Sequence, residues 1–204
     1  MHLSAPERME QGPAGSMRPV SALEQMYGHP YHMTLDEYWG WQDTQELRHE
    51  FVGGVVYAMT GGSRPHARIS SNIHALLHAA ARQQGCEAFV ANLALLVVAT
   101  GSVFYPDVMV TCSGETSRFE TSPCLIVEVL SPSTQGIDRT VKLGQYSSIP
   151  ALKNYLMVSS DPDEPFVVRH RRAGDLWVHT LHGPQDHLTL DCPDVTFQVA
   201  DLYQ

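Results

Sequence analysis

The sequence predicts a mixed α/β (α+β) domain, in which a mixed central β-sheet is flanked by helices. Three observations carry that expectation. Short β-branched apolar runs recur along the chain, most clearly at Val108-Met109-Val110 and Leu125-Ile126-Val127. A longer stretch, Arg64 to Gln84, places Ile69, Ile73, Leu76, Leu77 and Ala80 on one face of a 3.6-residue period. Cys124 to Ser159 reads as strand–helix–strand, the unit that lets two strands lie parallel.

The elements follow in order. Residues 1–30 contain Pro6, Gly12-Pro13, Gly15 and Pro19, which break any period. They are expected to form a disordered arm or a cloning remnant ahead of Met17, leaving one domain over residues 31–204. Thr34 and Glu37 have the spacing of a capping box, which starts a short helix reaching about Gln42. Phe51 to Met59 reads as one strand, with Gly53-Gly54 making a turn or bulge. The long helix ends at Gly85. Strands are then expected at Glu87–Ala91, Ala94–Ala99, Pro106–Thr111 and Cys124–Leu130. A helix over Ile137–Ser148 and a strand over Asn154–Ser159 complete the crossover. Phe166–His170, Leu176–Leu181 and Leu188–Leu190 suggest an antiparallel meander, and Val199–Tyr203 a terminal helical turn.

Composition excludes some functions. The formal net charge is −9 at pH 7, which opposes a general nucleic-acid coat built on many phosphate contacts. No apolar run is long enough to span a membrane. The N-terminus lacks a signal-peptide pattern, so a soluble, cytoplasmic protein is expected. Cys86, Cys112, Cys124 and Cys192 are scattered with no Cys-x-x-Cys pair. They are expected as buried, reduced thiols, not as a zinc site. No Gly-x-Ser-x-Gly elbow, Walker loop, His-Glu-x-x-His pair or helix–turn–helix is present.

Two carboxylates stand out within the apolar runs. Asp107 follows Pro106 at the head of one strand. Glu128 lies inside Leu125-Ile126-Val127-Glu128-Val129-Leu130, where it shares a face with Ile126 and Leu130. A charge in such surroundings is costly unless paired or bound to a metal. Turn chemistry for Asp107 and an arginine salt bridge for Glu128 are the competing explanations. Two carboxylates suit Mg²⁺ or Mn²⁺, which prefer oxygen ligands. Only two lysines occur, Lys142 and Lys153. Asp138, Lys142 and Tyr146 are spaced four apart and so fall on one helical face.

This ordered set resembles the PD-(D/E)XK nuclease superfamily, and within it the bacterial Uma-type restriction endonuclease branch. The matching residues are Glu50 through Met59, His66 at the head of the long helix, Tyr105-Pro106-Asp107, Glu128 through Thr134, and Asp138-Arg139, Lys142 and Tyr146. The resemblance implies a restriction-endonuclease-like core and Mg²⁺- or Mn²⁺-dependent hydrolysis of phosphodiester bonds in DNA. It implies Asp107, Glu128 and the Val129 carbonyl as metal ligands, with Glu50 as a further carboxylate. Leu130 stands where the superfamily usually carries its lysine. Lys142, on the following helix, matches the position used by this branch.

Arg64, His66, Arg139 and Arg171 are candidate phosphate contacts. Arg64 and His66 sit at a helix N-terminus, a natural anion site. Arg171 belongs to Arg169-His170-Arg171-Arg172, beside a hairpin tip at Ala173-Gly174-Asp175. A two-fold homodimer is compatible with duplex cleavage. The competing function is a non-catalytic DNA- or protein-binding module on the same fold, motivated by the acidic charge and by Leu130.

Overall fold

The computed structural model describes residues 32–59, 61–114, 117–131 and 138–204, with the side chains of Asp138 and Arg139 outside the described set. The expected N-terminal arm and the Ser133–Thr134 loop also lie outside it. Thr34 caps α1 (Leu35–Gln42) through a complete capping box with Glu37. The expected single strand at Phe51–Met59 is instead a hairpin of β1 (His49–Val52) and β2 (Val55–Ala58). Gly53 and Gly54 take φ of +58° and +87°, the paired positive φ that a two-residue hairpin turn requires. Ser63 caps α2 (Arg64–Gln83), whose buried face is Ile69, Ile73, Leu77 and Ala81. The face is rotated slightly from the expected one, with Ala81 buried in place of Ala80.

The strands are β3 (Glu87–Val90), β4 (Ala94–Val97), β5 (Ser102–Phe104), β6 (Val108–Thr111), β7 (Phe119–Glu120), β8 (Leu125–Leu130), β9 (Asn154–Ser159), β10 (Val167–Ala173), β11 (Leu176–His182), β12 (His187–Asp191) and β13 (Asp194–Gln198). They form the expected mixed α/β fold, with a six-stranded mixed sheet and two further sheets. Six strands run in the order β11-β10-β9-β8-β6-β3, five in the order β2-β1-β5-β4-β7, and β12-β13 pair by themselves. β8 and β9 are parallel and the other neighbours in the six-stranded sheet antiparallel. Between β8 and β9 lie a π-helical turn (Asp138–Lys142) and α3 (Leu143–Ser147). A short 3₁₀ helix (Val199–Tyr203) closes the chain. Leu188–Leu190 was expected to extend the meander. It pairs with β13, a strand that alternation alone did not reveal.

Every residue of β8 and β9 is buried, as expected for strands covered on both faces. One face carries Val110, Val127, Val129 and Val158 against Ile69, Ile73 and Leu77 of α2. The other carries Met109, Ile126, Leu130 and Met157 against Phe104 of β5 and Tyr146 of α3. Alternation along β8 puts Glu128 on this second face, between the six-stranded sheet and the elements that cover it.

The cysteines correct the composition-based expectation. Cys86 is bonded to Cys112, and Cys124 to Cys192. Sequence spacing concealed this because the partners are separated by 26 and 68 residues and meet only through strand pairing.

Candidate active site

Four separate segments bring the candidate residues together. Glu50 comes from β1, Asp107 from the Tyr105-Pro106-Asp107 link between β5 and β6, Glu128 from β8, and Lys142 from the end of the π-helical turn. The Lys142 Nζ donates to Glu128 Oε1 at 3.1 Å and lies 3.0 Å from Glu50 Oε1. The Tyr146 hydroxyl donates to the same Glu128 oxygen at 2.8 Å. Glu128 and Lys142 are only 4% and 7% exposed, so both charges are held away from water and depend on one another. Burial, and next the Glu128 carboxylate, push the Tyr146 hydroxyl well above its ordinary pKa. It therefore stays a neutral donor.

Asp107 is held from two sides. Its Oδ2 accepts the Val129 N–H at 2.7 Å and lies 3.2 Å from His66 Nε2. This bond ties the Asp107 link to the strand position directly after Glu128. His66, a candidate phosphate contact, lies against the Asp107 carboxylate. Ser63 accepts its backbone N–H and fixes the first turn of α2 there. Leu130, at the usual lysine position, is buried among apolar side chains. β8 therefore supplies no cation, and Lys142 enters from outside the strand.

The remaining candidates are placed less centrally. Arg64 is exposed at the start of α2. The Arg139 side chain lies outside the described residues. Arg171 lines a groove with Arg169, His182 and Asp191 that contains none of the site carboxylates. Its neighbour Arg172 donates to the carbonyls of Ser147, Ile149 and Leu152 and lies against Trp177, a structural role. Sequence reasoning did not assign Tyr146 to the site, although its spacing from Lys142 was visible. It also passed over Arg48, which lies over the Tyr105 ring and lines a cleft with Trp39, Asn92 and Arg118. Pattern alone carried no signal for that cleft, because the residue just after α1 and the residue just before β7 are joined across it by the Arg118–Asp43 ion pair.

A family match and a structural neighbour together support a restriction-endonuclease-like fold of the PD-(D/E)XK class. The chain belongs to the Uma2 family, whose model, described as "Putative restriction endonuclease", matches residues 35–200. Two uncharacterized proteins of the cyanobacterium Synechocystis are similar. One is 36% identical over 84% of this chain and 92% of its own length, the other 34% identical over 62% and 74%. The crystal structure of a putative nuclease from Anabaena variabilis superposes with a TM-score of 0.69 at 18% identity. It covers 84% of this chain and 97% of that one.

Proposed function

We propose that the chain is a divalent-metal-dependent phosphodiesterase acting on DNA as an endonuclease. The observation that carries this reading is the reach of Lys142 to Glu128 and Glu50, which supplies the cation that Leu130 leaves out. Asp107, Glu128 and the Val129 carbonyl would hold Mg²⁺ or Mn²⁺, with Glu50 adding a carboxylate. Their hard oxygen donors fit such an ion. A divalent ion in that position supplies Lewis-acid polarisation and a lowered pKa of bound water. Lys142 would steady the attacking water and the charge developing on phosphate, as a compact ammonium can. Tyr146 would hold Glu128 in orientation, and His66 would do the same for Asp107.

Purified protein incubated with Mg²⁺ or Mn²⁺ and plasmid, linear or single-stranded DNA should cleave at least one of them. Asp107→Ala and Lys142→Ala should each lower the rate by about 100-fold or more, the scale of losing one charge-stabilising group. Intact DNA under all of these conditions would remove the catalytic reading.

One observation favours the second reading, a non-catalytic binding module. Among the described residues, Glu50, Asp107 and Glu128 do not form a set of potential ligands within 4.8 Å of one another. The Lys142 ammonium lies against two of the three, so the network is satisfied by protein groups alone. Calorimetric titration separates the readings: the module binds DNA or protein without binding Mn²⁺.

A further inference from the structure

The four cysteines lie far apart in sequence and together in space. Cys86 precedes β3, Cys112 follows β6, Cys124 precedes β8, and Cys192 sits in the β12–β13 turn. The β3–β6 register pairs Glu87 with Thr111, which brings Cys86 opposite Cys112. The sulfurs of Cys112 and Cys192, members of different disulfides, are 3.6 Å apart. Those of Cys86, Cys112 and Cys192 all lie within 4.8 Å of one another; Cys124, bonded to Cys192, stands outside that set and joins it only once reduction frees its sulfur. In a tetrahedral tetrathiolate with Zn–S bonds of about 2.3 Å, neighbouring sulfurs are about 3.8 Å apart. The Cys112–Cys192 separation already matches one edge of that tetrahedron. Cys86, Cys124 and Cys192 are each 7% exposed while Cys112 faces solvent. The cluster thus has a dry floor and an entry path, as a metal site needs.

We infer that the reduced form of this cluster is a tetrathiolate zinc site, and that the two disulfides are its metal-free, oxidised form. In the conversion, each disulfide gains two electrons and two protons and yields two thiols. Two reductant thiols supply both and become a disulfide, whereas a phosphine supplies the electron pair and becomes its oxide, with water giving the oxygen and the protons. Zinc then binds the thiolates, and the thiol protons pass to solvent. The ion ties together β3, β6, β8 and the β12–β13 turn. Asp107 lies at the opposite end of β6 from Cys112, and Glu128 lies four residues beyond Cys124. The site is therefore structural and does not rest on the nuclease reading.

The test uses the full chain, reduced anaerobically with a phosphine and titrated with Co²⁺, then Zn²⁺. The expected result is uptake of about one Co²⁺ per chain at sulfur, seen as sulfur-to-cobalt charge-transfer absorption with a tetrahedral visible band that Zn²⁺ abolishes. Cys112→Ser, at the exposed position, should lose much of the charge-transfer intensity. A variant carrying Asp107→Ala and Glu128→Ala should keep it, since carboxylate-bound Co²⁺ gives no such band. Three results would overturn the inference. They are reduced thiols without charge-transfer absorption, disulfides that resist the phosphine in the folded chain, or full intensity in Cys112→Ser.

Discussion

Glu128 concentrates the energetics of the site in one side chain. It is buried, and a single oxygen receives both the Lys142 ammonium and the Tyr146 hydroxyl. Removing the cation leaves an uncompensated buried charge, so Lys142→Ala should cost about 3–5 kcal/mol of stability as well as activity. Tyr146→Phe removes one hydrogen bond to a charged group and should cost about 1.5–3 kcal/mol. Urea denaturation midpoints of the two variants measure both effects. His170 presents the opposite case. Burial first, and His179 beside it second, hold its pKa down to about 4. It is 5% exposed, stacks on Tyr155, and its Nε2 has no hydrogen-bond partner among the described residues. An unfolded histidine titrates near 6.5, so between about pH 6.5 and pH 4 the unfolded chain binds the extra proton. The stability is present above about pH 6.5 and falls as pH drops towards 4, by about 2–3 kcal/mol. Denaturation curves at pH 7 and pH 4.5 should show that loss, and His170→Phe should reduce it.

At the level of elements, local chemistry was legible where it is short-ranged. The Thr34–Glu37 capping box, the ends of α2, and the extents of β8 and β9 follow from capping, period and β-branching. Thr34→Ala should lower stability by about 1 kcal/mol, read from the shift in thermal midpoint. The strands missed were β5, β7 and β13. β5 and β7 have only three and two residues, too short to show a period. β13 alternates Val195 and Phe197 with polar residues but follows a proline turn closely. Asp107 and Glu128 were visible as charges out of place, and Lys142 as one of two lysines. That Lys142 meets Glu50 was not visible, because that contact depends on how two sheets pack. The position of Leu130 offers a swap experiment. It shares a strand face with Glu128, so Leu130→Lys combined with Lys142→Met should regain part of any DNA cleavage lost in Lys142→Met. Replacing a buried leucine should lower stability at the same time.

Across the whole molecule, the site straddles a boundary. Glu50 belongs to the five-stranded sheet and Glu128 to the six-stranded sheet, and one ammonium touches both. Phe104 continues that contact from β5, packing edge-on against Tyr146 of α3. The Tyr105-Pro106-Asp107 link is one of several covalent joins between the same two sheets. Sequence separation hid this arrangement, since no local window contains both halves.

The bridging ammonium thereby acts as a clasp whose release has a local signature. A bound phosphate that draws Lys142 away from Glu50 leaves the β1–β2 hairpin with one fewer tether to the rest of the domain. Amide hydrogen exchange reports such partial opening directly. Lys142→Met should speed exchange in His49–Ala58 relative to β8 and β9 without any metal, and saturating Mn²⁺, which would tie Glu50 to the ion, should slow it again. A hairpin that exchanges at the same rate in all three samples would mean that the clasp carries no mechanical load.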